Sequence, residues 1–115
     1  MLDRGARRDR TVGWVKIDLL FVPDCPNHAI ALSRIVEASR ASGVTGTEIS
    51  ERVIKNDAEA HAVGMHGSPT ILIDGRDPFV EAGTPPSMSC RLYRTAAGFE
   101  GAPSVAELIA ALLQV

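Results

Sequence analysis

The stretch VPDCPNHA, residues 22–29, decides how the first half of the chain is read. To its left, WVKIDLLFV (14–22) is rich in β-formers and almost wholly apolar towards its end, which predicts a buried central strand. Pro23 stops that strand. To its right, HAIALSRIVEASRASG (28–43) sets Leu32, Ile35, Val36 and Ser39 at helical spacing, with Ala29 below them, and Gly43 stands where the helix would end. Pro26 suits a first helical turn, where a missing N–H costs nothing. Cys25 is thereby expected at the helix N-cap. His28 then stands where a second cysteine would complete a redox pair.

Downstream, TEISERVI (47–54) alternates Ile49, Glu51 and Val53, the pattern of a half-buried strand. Asn56 and Glu59 form a capping-box pattern for a helix over DAEAHAVGM (57–65), which MHGSP ends. TILI (70–73) predicts a short strand turning at Asp74-Gly75, and a loop without regular pattern follows from 76 to about 88. In SCRLYR (89–94), Cys90 and Leu92 alternate with Arg91 and Tyr93, so another strand is expected. TAAGFEGAP (95–103) reads as a turn region. SVAELIAALLQ (104–114) reads as a closing helix, with Ser104 and Glu107 as its capping box and Val105, Leu108, Ile109 and Leu112 as its apolar stripe. The expected order is β-α-β-α-β-β-α. This is an α/β domain over 13–115, its central mixed sheet carrying helices on both faces, behind a disordered arm at 1–12.

The bulk composition narrows the function classes. The chain has 115 residues, 45% of them hydrophobic, enough for one domain with its own core. A net charge of −2 supplies no basic field for nucleic acid or an anionic membrane, and DRGARRDR (3–10) reads as a solvated arm. No segment approaches the roughly 20 apolar residues of a membrane span. IDLLFV (17–22) is too short for a signal-peptide core and contains Asp18, so a cytoplasmic protein is expected. In a reducing cytosol both cysteines are thiols by default.

The element order, the Cys-Pro dipeptide opening the first helix, and GSPT (67–70) opening the third strand together resemble the thioredoxin-like superfamily, across roughly residues 14–114. The run GSPTILIDGRDPF…SCRLY is also similar to small actinobacterial thioredoxin-like proteins, some of which carry an alkylmercury lyase label. The resemblance implies a cis Ser68–Pro69 bond lying against Cys25. It also implies a substrate-binding surface of Pro26, Ser68, Pro69 and Thr70, with Pro69 and the Ser68 backbone binding the substrate main chain. The chain departs from the family's redox members at one point: CPNH stands in place of C-x-x-C.

The chemistry expected at Cys25 follows from its position. Only the thiolate is a nucleophile, and unpaired N–H groups at a helix start favour negative sulfur. A protonated His28 would add to this effect and Asp24 would oppose it. The plain alternative is a small buried core residue. Cys90 is expected in the strand interior, away from Cys25, unless the long loop at 76–88 resets the register. A zinc site from Cys25, His28, His61, His66 and Cys90 is not expected, because His61 and His66 do not share a helical face. No cofactor is implied: GRDPFVEAG (75–83) lacks the lysine and helix of a phosphate loop, and no serine stands in a nucleophile elbow. The leading expectation is a thiol-dependent oxidoreductase acting through Cys25 on a small-molecule or protein disulfide, resolved by an external thiol or by Cys90. A second is organomercurial cleavage, with Cys25 and Cys90 on the metal and Asp24 as proton donor. A third is a non-catalytic binding module.

Overall fold

The computed structural model describes residues 14–44 and 46–115; the expected arm at 1–12 and Gly13 lie outside the described residues. The sheet is built around Val15–Phe21 (β1), whose Val15, Ile17 and Leu19 are buried on one face and Leu20 on the other. That two-sided burial is the reason the sequence reads as nearly continuous apolar residues here. Thr47–Val53 (β2) pairs with β1 in parallel, from Val15↔Thr47 to Phe21↔Val53. Thr70–Ile73 pairs on the other side, antiparallel, from Ile17↔Ile73 to Leu20↔Thr70.

Helices cover both faces, as expected. His28–Ala41 (α1) and Val105–Leu112 close over Val15, Ile17 and Leu19, contributing Ala31, Ile35, Ala38, Leu108 and Leu112. Asp57–Val63 (α2) covers the opposite face, where Leu20, Ile54, Ala60 and Met65 form a second cluster. The capping box at Ser104 and Glu107 is complete. At α2 only half of it forms: Asn56 Oδ1 accepts from Glu59 N, while the Glu59 carboxylate accepts from Lys55 N instead. Among the described residues no helix is long and apolar enough to cross a membrane.

The second half of the chain departs from the expected order. His66–Ser68 forms an additional strand, β3, so Thr70–Ile73 is β4. Ser87–Cys90 (β5) does not pair with β4; it runs parallel to β3, with Cys90 opposite Ser68. The expected turn region instead contains an antiparallel hairpin of Tyr93–Thr95 (β6) and Gly98–Glu100 (β7), leaving the closing helix as α3. The cause lies in the loop after β4. Asp74 and Gly75, both at positive φ, turn the chain back for a single bridge, Ile73↔Arg76. Asp77 is then drawn inward by the Arg91 guanidinium at 2.6 Å, which steers the loop across to β3.

The same ion pair sets the sense of the alternation over 89–94: Arg91 and Tyr93 turn inward, while Cys90 and Leu92, the latter 66% exposed, face out. Helix α1 also sits at a different phase: its buried stripe is Ala31, Ile35 and Ala38, while Ala29 is exposed. Two of those three positions are alanine, which lets the helix axis approach β1 closely. In β2 the fully buried residue is Ile54, just past the strand, while Val53 is 38% exposed.

The β7–α3 join is fastened to α1 at two points. Arg34 of α1 donates to Glu100 Oε1 and to the carbonyls of Ala102 and Pro103. Thr95 and Arg34 both donate to the Glu100 carboxylate and hold it below the usual carboxylate range. Close by, a Cβ on Gly101 would lie 2.2 Å from Asn27 Cγ, inside contact distance. Gly101→Ala is therefore expected to push the Asn27 side chain aside, at a cost below about 1 kcal/mol in urea unfolding, because a side-chain end can move where backbone cannot. In an Asn27→Ala background Gly101→Ala should cost nothing further; an added loss in that double variant would refute the contact.

Candidate functional site

Cys25 lies in the turn between β1 and α1. Its N–H donates to Val22 O at 3.2 Å, and its carbonyl accepts from His28 N at 3.3 Å. Asp24 beside it is exposed and left-handed, with φ 60°. The N-cap of α1 is Asn27, whose carbonyl accepts from Ala31 N at 3.0 Å. Cys25 thus stands two residues before the N-cap rather than on it, and Pro26 lies outside the helix and exposed. The turn closed by the Cys25 carbonyl uses up the residues that would have been the first helical turn. Cys25 is half-buried and unpaired by disulfide.

His28, the first residue of α1, is engaged elsewhere. Its ring stacks on Phe21 with centroids 3.9 Å apart, and Nε2 is hydrogen-bonded to Glu51 Oε1 of β2 at 2.5 Å. These contacts tie α1 to β2 through an apolar stack and an exposed polar contact.

Ser68 and Pro69 join three segments. The Ser68 hydroxyl accepts from Val22 N at 3.0 Å, just ahead of the Cys25 turn. The Ser68 carbonyl accepts from Arg91 N at 3.0 Å. The Ser68–Pro69 bond is cis, and the Pro69 carbonyl accepts from the Tyr93 hydroxyl. Ser68, Pro69 and Tyr93 are buried and Val22 and Arg91 half-buried, and β5 pairs with β3 alongside Ser68. Thr70 is fully buried. Its hydroxyl donates to Gly67 O and accepts from His66 N and Arg91, so it serves the interior and has no free surface for substrate.

Cys90 is exposed, not interior, at the end of β5 opposite Ser68. Cys90 thus stands opposite Ser68 in the strand pairing, and Cys25 lies three residues after Val22, whose N–H donates to the Ser68 hydroxyl.

Sequence reading missed the polar cluster beneath this junction. Arg91 forks onto both oxygens of Asp77, at 2.6 and 3.3 Å, and lies 4.5 Å from the centroid of the Tyr93 ring. The Asp77 side chain is 4% exposed and that of Arg91 10%. Asp77 also accepts from Phe79 N, and Phe79 meets Tyr93 edge-on. His66 Nδ1 is buried, lacks a hydrogen-bond partner and lies 3.9 Å from Asp77 Oδ2. No spacing rule links a loop aspartate to an arginine at a strand end, so only the pairing of opposite charges across the loop could have hinted at it. His61 is exposed on α2, and among the described residues no group of three or more His, Cys, Asp or Glu is arranged to hold a metal ion.

Breaking a buried ion pair by removing one partner leaves the other charge stranded. Asp77→Ala is expected to cost about 3 kcal/mol or more in chemical unfolding, far above the ~0.5 kcal/mol of an exposed pair. Tyr93 supplies a second check, because it is the chain's one tyrosine. Burial raises its pKa well above the ordinary phenol value; Arg91 pulls it down, while Asp77 and Cys25 push it up. The unfolded chain loses the phenolic proton near pH 10 while the folded chain keeps it, so stability is expected to fall as pH rises above that point. Ultraviolet titration should show the native phenolate appearing at higher pH than in urea. Coincident curves would contradict the burial.

No protein-family model matches the chain, and neither a curated protein nor a solved structure matches it significantly.

Proposed function

We propose that the protein is a thioredoxin-like thiol–disulfide oxidoreductase of the cytoplasm in which Cys25 is the attacking thiol and Cys90 the resolving one. The observation that carries this reading is the pairing of exposed Cys90 with Ser68, the same residue whose hydroxyl ties down the Cys25 turn. CPNH deprives Cys25 of a partner within its own turn, and β5 offers one from elsewhere in the chain.

The steps balance as ordinary thiol–disulfide exchange. The Cys25 thiolate attacks one sulfur of a substrate disulfide, forming a mixed disulfide and expelling the other sulfur as a thiolate. The Cys90 thiolate then attacks Cys25 Sγ, expelling the second substrate thiolate and leaving a Cys25–Cys90 disulfide. The substrate has gained the electron pair that the protein lost. Low-molecular-weight thiols of the cell restore the reduced protein. Arg91 and Tyr93 act by position: they hold the end of β5 against Ser68 and Pro69.

An aromatic disulfide that releases a coloured thiolate tests the assignment, with mass spectrometry of the product. Wild type should release both probe thiolates and finish lighter by the pair of hydrogens lost. Cys90→Ser should stop at the mixed disulfide on Cys25. Cys25→Ser should lower the rate by more than about 100-fold. Full release by Cys90→Ser would transfer resolution to an external thiol, and an unchanged rate in Cys25→Ser would remove the activity from this site altogether.

A further inference from the structure

β2 is the open edge of the three-stranded sheet: β1 pairs with one side, and among the described residues nothing pairs with the other. Gly46 O accepts from Val15 N and Ile54 N donates to Phe21 O. Even-numbered residues therefore turn their peptide groups towards β1, and Thr47, Ile49, Glu51 and Val53 turn theirs outward. Pairing with β1 runs over all seven residues without a bulge, and the strand contains no proline. An unbroken edge of this kind is a template for another strand.

The edge is complementary to itself. Laid antiparallel about Ser50, Glu48 meets Arg52 of the other copy, Thr47 meets Val53, and Ile49 meets Glu51, each reciprocated. Because Ser50 turns its peptide inward, it forms the non-hydrogen-bonded centre. The 49/51 and 47/53 pairs then become hydrogen-bonded, which is the alternation antiparallel strands require. Other centres do not satisfy the charges: centring on Glu51 sets it against its own copy, and centring on Ile49 separates Glu48 from Arg52. Both Glu48 and Arg52 are exposed, and Arg52 leans only loosely on Glu59, at 3.7 Å.

Helix α1 extends the surface. It carries half-buried Leu32 and Val36, which line a groove that also includes His28. Because His28 is bonded to Glu51 of β2, that groove lies beside the open edge. A two-fold axis through Ser50, normal to the sheet, brings the two grooves towards each other, so that apolar surface is covered along with the peptide groups.

We propose that two copies of this chain associate through their β2 edges, antiparallel about Ser50, joining their three-stranded sheets into one. Neither cysteine takes part, so the assembly is independent of the thiol chemistry proposed above.

Sedimentation equilibrium of the full chain, in a phosphine reductant to prevent intermolecular disulfides, measures the association directly. Wild type should be dimeric at micromolar concentration. Glu48→Arg and Arg52→Glu should each weaken the dimer by about tenfold or more, since each sets like charges opposite one another twice. The double variant Glu48→Arg/Arg52→Glu should recover wild-type association, a rescue that a merely structural effect of either change would not give. A monomer at all concentrations, a dimer indifferent to the single changes, or a double variant without recovery would each overturn the proposal.

Discussion

The junction at Ser68 and Pro69 is the constraint on which the rest of the structure depends. Four chain segments meet there through polar atoms of buried Ser68, Pro69 and Tyr93 and half-buried Val22 and Arg91. Val22 N reaches the Ser68 hydroxyl, Arg91 N reaches the Ser68 carbonyl, and the Tyr93 hydroxyl reaches the Pro69 carbonyl. Each buried donor or acceptor costs about 1–3 kcal/mol if left unmade, so the contacts are jointly obligatory. Moving any one segment would strand a partner on another. The Cys25 turn, the end of β5 and the start of β6 are therefore fixed relative to one another by the interior, not by the surface loops that carry them.

Below this junction, opposite charges do the work that apolar packing does elsewhere. Asp77 and Arg91 are both removed from water, which is expensive for ions unless their geometry is good and their remaining hydrogen bonds are met. Here the fork is bidentate, Thr70 shares one guanidinium nitrogen, Phe79 N caps Asp77, and the Tyr93 ring lies against the guanidinium. Such an arrangement specifies one path for the loop more sharply than it adds net stability. The chain contains few aromatic residues, and two of them, Phe79 and Tyr93, are spent on this cluster.

Much of the first half and the closing helix was legible in the sequence, because their signals are local. Two-sided burial of β1, the Ser104–Glu107 capping box, the Asn56 N-cap and the Asp74-Gly75 turn each follow from residues close together in the chain. The path from 76 to 100 was not legible. β3 and β5 are too short to show a period, and their pairing depends on a contact between Asp77 and Arg91 across a loop. The same gap explains the misplacement of Cys90, whose exposure follows from β5 joining β3. The contacts of His28 were hidden for another reason: stacking on Phe21 and a bond to Glu51 are tertiary preferences that no helical spacing reveals.

Pinning both ends of the long loop separates its length from everything around it. Asp77 is fixed by Arg91 at one end, and Ser87 N by the Met65 carbonyl at the other. Between them, residues 80–85 are exposed. Loop closure grows only logarithmically with length, so doubling such a segment costs about 0.6 kcal/mol. The loop tip is thus an entry point for foreign sequence: a peptide tag or small inserted domain there would hang from anchors that already bear the strain, leaving the cysteines undisturbed.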